Sequence, residues 1–329
     1  MGTKAILHIK NGNKESDTLC SVYKKYAGFP HGMGQDIYKA YGFVRELFEM
    51  ASDIVKINLP KLIFKGEMED LTKTVNLQPA LTVVNLSFLA ALQSEQLKPD
   101  VTAGHSLGEY SALNASGVLT TEDTIRLVLK RGELMHRESM KHEGAMHAII
   151  GLPIQRVQEL VAEAQRNGKV VAVANHNTEL QIVITGSPGP LEEVALLAAA
   201  QGARTIPLNV SGAWHSDLIK GAEEEFKVFL DTASFSKSEI PVIHNVTADI
   251  AMNPDEIKVI MAKQLCNPVR WYSTMCKLIE DNVETFVEVG SGRVLAGLLK
   301  KTLPKDYPGK IHNVNTIKNL EKFLQEVTG

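Results

Sequence analysis

The chain has 329 residues, 44% of them hydrophobic, enough to bury one large core with a smaller unit inserted or appended. Its 35 basic and 38 acidic residues are interspersed and sum to a formal net charge of −3, which leaves no cationic field to hold nucleic acid. Three cysteines, Cys20, Cys266 and Cys276, show neither metal-ligand spacing nor a disulfide framework, and the sequence reads as free of a secretion signal and of any apolar run long enough to span a membrane, so a cytoplasmic protein without a metal is expected.

Short apolar runs alternate with longer segments of helical period, the pattern of a mostly parallel sheet covered by helices, hence an α/β fold. Lys4 to Ile9 reads as a first strand, and Ile37 to Val55 as a helix. Pro79 fits the start of a helix over Ala80 to Leu92. Asp100 to Gly104 is extended and runs into Ser106, with helical period after it. Thr120 with Asp123 three residues on resembles a capping box, opening a helix through Met140 that carries Arg131. From Ala145 to Leu208 the order becomes strand, helix, two strands, helix, strand, the ferredoxin-like arrangement. Afterwards the helix, strand, helix, helix, strand run of Ile219–Asp231, Pro241–Val246, Glu256–Gln264, Trp271–Asp281 and Thr285–Val289 resumes the first pattern. The domain reading is therefore residues 1–143 and 209–329 as a large α/β domain carrying the nucleophile, with 144–208 inserted into it.

Gly104-His105-Ser106-Leu107-Gly108 matches a nucleophile elbow: small residues allow a sharp strand-to-helix turn that lifts the serine hydroxyl above the sheet edge. The helix after it would bring free N–H groups and a positive end to the oxyanion of a tetrahedral intermediate, the Leu107 N–H first among them. A serine hydroxyl needs a base, and the ten histidines include His105, His176, His244 and His312 as competitors to His215. Arg131 offers a planar fork for a carboxylate, although an arginine on an amphipathic helix is more often a solvated one.

The stretch from Gly104 to Tyr110, followed by Arg131 in Lys130-Arg131-Gly132-Glu133-Leu134-Met135, resembles the malonyl-coenzyme A:acyl carrier protein transacylase family. The resemblance continues in order through Asn177 with Gln181, Val210-Ser211-Gly212-Ala213-Trp214-His215-Ser216, Gln264 to Trp271, and Phe286-Val287-Glu288-Val289-Gly290-Ser291-Gly292 with Val294-Leu295. It implies an α/β-hydrolase-like large domain, a Ser106–His215 dyad with the main-chain carbonyl of Gln264 orienting the imidazole, and Arg131 gripping the malonyl carboxylate. It further implies ping-pong transfer of malonyl from malonyl-CoA, through a malonyl-serine, to the phosphopantetheine thiol of an acyl carrier protein in fatty acid biosynthesis. The partners expected are that carrier and the coenzyme A thioester, for a monomer with no permanently bound cofactor. If only the carbonyl of Gln264 matters, its side chain should tolerate replacement.

One departure stands out. The family's Phe-Pro-Gly-Gln-Gly-Ser-Gln type loop, whose first glutamine N–H completes the oxyanion hole, has no match; Phe29-Pro30-His31-Gly32-Met33-Gly34 keeps only its flanking letters. One alignment puts Asn11 where that glutamine would be, while an Asn-Gly pair is equally a plain turn signal. Losing one such donor typically costs about 100- to 1,000-fold in turnover. The rival readings are an acyl hydrolase or thioesterase, either on this scaffold or of the α/β-hydrolase type with His312 and Asp281 or Glu288, a trans-acting polyketide synthase acyltransferase, and a docking protein that has lost its chemistry.

Overall fold

The computed structural model describes residues 4–8, 32–166 and 168–328. Among the described residues, ten strands fall into two sheets. The larger holds β1 (Lys4–His8), β2 (Val101–Gly104), β7 (Val242–Ile243), β8 (Ile250–Ala251), β9 (Thr285–Val289) and β10 (Lys310–Val314) in the order β10-β9-β1-β2-β7-β8. All pairs are parallel except β7 with β8. The smaller sheet holds β3 (Ala145–Ile150), β4 (Val171–Thr178), β5 (Gln181–Gly186) and β6 (Arg204–Leu208) in the order β4-β5-β3-β6, all antiparallel. Strand β2 is buried along its whole length and β9 at all but its first residue, as apolar runs covered on both faces require.

The helix Thr74–Ser94 runs through the middle of the main core. It is long and apolar enough to span a membrane, against the sequence expectation, but 78% of its most apolar window is buried inside the protein. Pro79 does not open it: the helix starts at Thr74 and carries the proline in its interior, where packing outweighs the lost N–H. Gly132 explains how close the next long helix, Thr121–Lys141, can come, since a Cβ there would lie 3.1 Å from both Thr74 O and Val75 Cα. That helix is capped by Thr120, whose hydroxyl accepts from the Asp123 N–H.

Three further expectations are corrected. The single helix Ile37–Val55 is two, Gln35–Ala40 and Gly42–Val55, because Tyr41 between them is extended at φ −115° and ψ 132°. Strand β4, expected over Val170 to Ala174, continues to Thr178 across two register shifts, which brings Asn175 and Asn177 onto it. The expected strand Pro241–Val246 stops at Ile243, where a turn closes with Ala248 N–H donating to His244 O and His244 N–H to Asp249 O. The turn frees His244 and Asn245 from the ladder. Main-chain bonds from His176 N to Val269 O and from Val269 N to Ala174 O, each 2.9 Å, stitch the small sheet to the large unit beside these residues.

Candidate active site

Ser106 follows the carboxyl end of β2 and precedes the helix Gly108–Ala115. Its φ is 52°, the left-handed region, a strained conformation for a residue with a side chain. The turn closes so tightly that a Cβ on Gly104 would lie 2.1 Å from the main-chain carbon and oxygen of Gly108. The clamp on the turn is Asn245, whose Oδ1 accepts from Ser106 N at 2.6 Å while its Nδ2 donates to Gly104 O at 2.5 Å.

The Ser106 Oγ lies 2.9 Å from His215 Nε2. His215 is itself at φ 60°, and its Nδ1 faces two main-chain carbonyls, Gln264 O at 3.0 Å and Asn267 O at 3.1 Å. Two carbonyls demand an N–H at Nδ1, which leaves Nε2 with its lone pair toward the serine. Both residues are buried. The competing histidines are placed elsewhere. His105 Nε2 is 2.9 Å from Asn177 Oδ1, His176 packs on Tyr272, His312 packs on Phe323 and faces Glu326, and His244 Nδ1 lies 2.8 Å from Glu109 Oε1. Glu288 caps the helix Val294–Thr302, so the His312 alternative triad is not assembled.

Arg131 is only 1% exposed. Its Nη2 donates to Ser106 Oγ at 3.1 Å, its Nη1 to Gln78 Oε1 at 2.8 Å and its Nε to Gln264 Oε1 at 3.3 Å, and the guanidinium lies 5.8 Å from the centre of the Tyr110 ring. Among the described residues no carboxylate lies within ion-pair distance of it. Burial pulls its pKa below the usual value, with Tyr110 and Glu109 acting in the opposite sense, and a guanidinium remains protonated at neutral pH. Arg126, by contrast, is on the surface, paired with Glu122.

Gln264 has bonds beyond its expected role. Its carbonyl does face His215, but the side chain is fully buried as well. Its Nε2 donates to Ser106 O and to Glu109 Oε2, both at 2.8 Å, besides the acceptance from Arg131. Set against the expected tolerance to replacement, truncation would strand three polar groups. Leu107 is 2% exposed, and its N–H makes no hydrogen bond among the described residues, as suits an oxyanion donor at a helix start. Asn11 lies outside the described residues.

Sequence reasoning did not single out Gln78, Asn245 or the Glu109–His244 pair. Gln78 lies just before Ala80 to Leu92, the stretch read as helix, and Asn245 sits inside a segment read as strand. The one available signal was Glu109, an acid directly after the elbow with an apolar helix to follow.

Residues 30–328 match the family model for the acyl transferase domain. A malonyl CoA-acyl carrier protein transacylase of Bacillus subtilis is 42% identical over 271 residues, 82% of this chain and 86% of the relative. The chain belongs to the malonyl-CoA:acyl carrier protein transacylase family. Among solved structures, the FabD of Acinetobacter baumannii superposes with a TM-score of 0.88 at 32% identity, covering 100% of this chain and 99% of that one. A malonyl-transacylase solved in complex with its type II polyketide synthase acyl-carrier protein gives 0.88 at 32% identity over 98% of this chain and 99% of its own. The candidate site is thus a serine whose hydroxyl lies within hydrogen-bond distance of an imidazole and of a buried cation, at the carboxyl edge of a parallel sheet, where α/β folds place their ligands.

Proposed function

We propose that this chain moves a malonyl group from malonyl-CoA to the phosphopantetheine thiol of an acyl carrier protein through a malonyl ester on Ser106. The observation that carries this reading is Arg131: a buried guanidinium, without an acidic partner among the described residues, that donates to the nucleophile's own hydroxyl. A buried cation held only by neutral oxygens is costly, and a substrate bringing its own carboxylate relieves that cost with two parallel hydrogen bonds. An acetyl group brings none.

In the acylation half, Ser106 Oγ attacks the thioester carbon while His215 Nε2 takes its proton. The carbonyls of Gln264 and Asn267 hold the imidazolium through Nδ1, doing the work a carboxylate does in a triad. The Leu107 N–H receives the negative oxygen, and His215 returns the proton to the departing coenzyme A thiolate. In the second half the carrier's thiol gives its proton to His215, its sulfur attacks the ester, and Ser106 leaves with the proton restored. Asn11 is the sequence's candidate for a second oxyanion donor. The order β4-β5-β3-β6 supports reading 144–208 as an inserted ferredoxin-like domain, and the parallel order around β2 supports the α/β-hydrolase-like reading of the remainder.

The test is intact-protein mass after brief mixing with malonyl-CoA, then after addition of phosphopantetheinylated carrier protein, with Ser106→Ala beside it. The expected result is a malonyl adduct on the wild type alone, discharged by the carrier and stable to water on the same timescale. An adduct that hydrolyses equally fast without carrier makes the chain an acyl hydrolase, and no adduct at all leaves only a docking role.

A further inference from the structure

Beneath the reacting groups lies a buried acid that the acyl-transfer steps do not use. Glu109, in the first turn of the helix Gly108–Ala115, is fully buried. Three N–H groups converge on its two oxygens: His244 Nδ1 at 2.8 Å and Asn245 N at 3.2 Å on Oε1, and Gln264 Nε2 at 2.8 Å on Oε2. Asn245 N and Gln264 Nε2 require an acceptor at each oxygen, and with Nδ1 of His244 protonated a carboxylate accepts all three. Two of the three lead on to the reacting atoms. Asn245 clamps the nucleophile turn through Ser106 N and Gly104 O, and Gln264 touches Ser106 O, Arg131 Nε and, through its own carbonyl, His215.

Gln264 is the informative member, because its carboxamide has two unlike ends. The NH2 end faces two acceptors, Ser106 O and Glu109 Oε2, and the oxygen end faces one donor, Arg131 Nε. Turned end for end, the amide would set N–H against N–H at Arg131 and oxygen against oxygen at Glu109. A flip would thus cost every one of these bonds.

We infer that Glu109 is a positioning residue that fixes the polarity of the Gln264 carboxamide and, through it, aims Arg131 at the carboxylate of the incoming acyl group. This rests on the malonyl-transfer reading of the same site. His244 is the second support of the acid: it is fully buried, and among the described residues its Nε2 has no hydrogen-bond partner, so the bond its ring makes is the one to Glu109. Asn245 N completes the cradle. Glu109→Gln keeps the size of the side chain but replaces one acceptor oxygen with NH2, so one of the three donors must then meet a donor. The arrangement predicts a defect in selectivity, not a uniform loss, because a neutral acyl group makes no use of Arg131.

The experiment measures kcat/KM for acylation of Ser106 by malonyl-CoA and by acetyl-CoA in the wild type, Glu109→Gln, Arg131→Ala and the double variant. Glu109→Gln is expected to lower the malonyl value by about 10- to 100-fold and the acetyl value by less than about 5-fold, as the loss of one buried, charge-assisted link implies. In the Arg131→Ala background the malonyl loss should shrink to that of acetyl. Glu109→Asp, which keeps the acceptor-only group, should restore part of the malonyl-to-acetyl ratio. Equal losses for both substrates, persisting without Arg131, would show a purely structural acid and overturn the inference. Should Glu109→Gln fail to fold, Gln264→Met removes the same link from its other end, and an unchanged ratio in that variant overturns the inference equally. A wild type that forms no malonyl adduct overturns the functional reading instead, so the two failures are told apart.

Discussion

Two glutamates lie fully buried near the carboxyl edge of the same parallel sheet, and each accepts three N–H groups. Glu109 receives His244 and Asn245 from one turn and Gln264 from the end of a helix, and the last two lead on to Ser106, His215 and Arg131. Glu288, in β9, receives Leu295 N at 2.9 Å, Ala296 N at 3.0 Å and Asn313 Nδ2 at 3.0 Å, that is, the start of the following helix and a side chain of the neighbouring strand. The inventory of bonds is the same and the consequence is not. What distinguishes a functional buried acid from an architectural one here is where its donors point next, which burial and bond count alone do not reveal.

The largest effect expected from the first region is at its cation. Arg131→Ala should cut malonyl acylation by about 100- to 1,000-fold, since it removes a paired, desolvated charge at the bound carboxylate. Acylation by acetyl-CoA should change far less, and could rise relative to malonyl. A parallel collapse of both substrates would mean that Arg131 serves the nucleophile through its bond to Ser106 Oγ and not the substrate carboxylate. The ratio of the two kcat/KM values decides between these.

Gln264→Ala comes next, with an expected loss of about 10- to 100-fold for malonyl from the polar groups stranded on Ser106, Glu109 and Arg131. The main-chain carbonyl survives the change, so the imidazole keeps its orientation and the enzyme stays well above His215→Ala, which loses the base outright. Full activity in Gln264→Ala would restore the sequence-based idea that only the carbonyl counts, and would detach Glu109 from the site.

How much of this was legible beforehand follows the same division. Ser106 could be read because its neighbours announce a turn, and Gly104 proves to be a glycine for the reason the motif supplies, a main-chain approach with no room for a Cβ. The strand-helix alternation of 144–208 was readable from period alone. Gln78 was not: a polar residue in an apolar helix names no partner, and its contact with Arg131 depends on two helices meeting at Gly132. Nor was Asn245, because an apolar run gives no sign that its ladder ends after Ile243 and that the next two side chains turn inward. Strand β10 and the closing helix Ile317–Thr328 also went unread, the former being a half-buried edge strand with charged and polar residues among its apolar ones. Local patterns report the backbone; the polar links between distant loops exist only once the chain is folded.

The smallest effect expected on catalysis, and the most direct on stability, belongs to the second region. Glu288 reaches no reacting group, so Glu288→Gln should leave acylation within about 3-fold of the wild type, as for other changes remote from a site. Burial pushes its carboxyl up from 4.5 to about 7, with the two N–H groups of the helix start, Asn313 and Arg293 acting in the opposite sense. A raised folded-state pKa means that the protonated form is the one the fold favours. Its contribution is fully present below about pH 4.5 and is lost as pH rises through about 7. Glutamine cannot ionise and carries no such slope. Comparing the unfolding free energies of wild type and Glu288→Gln at pH 5 and pH 8, the balance should therefore move toward the variant at the higher pH, by at most on the order of 3 kcal/mol. If the difference between the two proteins is the same at both pH values, the three N–H donors hold Glu288 as a carboxylate throughout. The two buried acids would then be alike in charge, and only the direction of their partners would separate the one that serves Arg131 from the one that caps a helix.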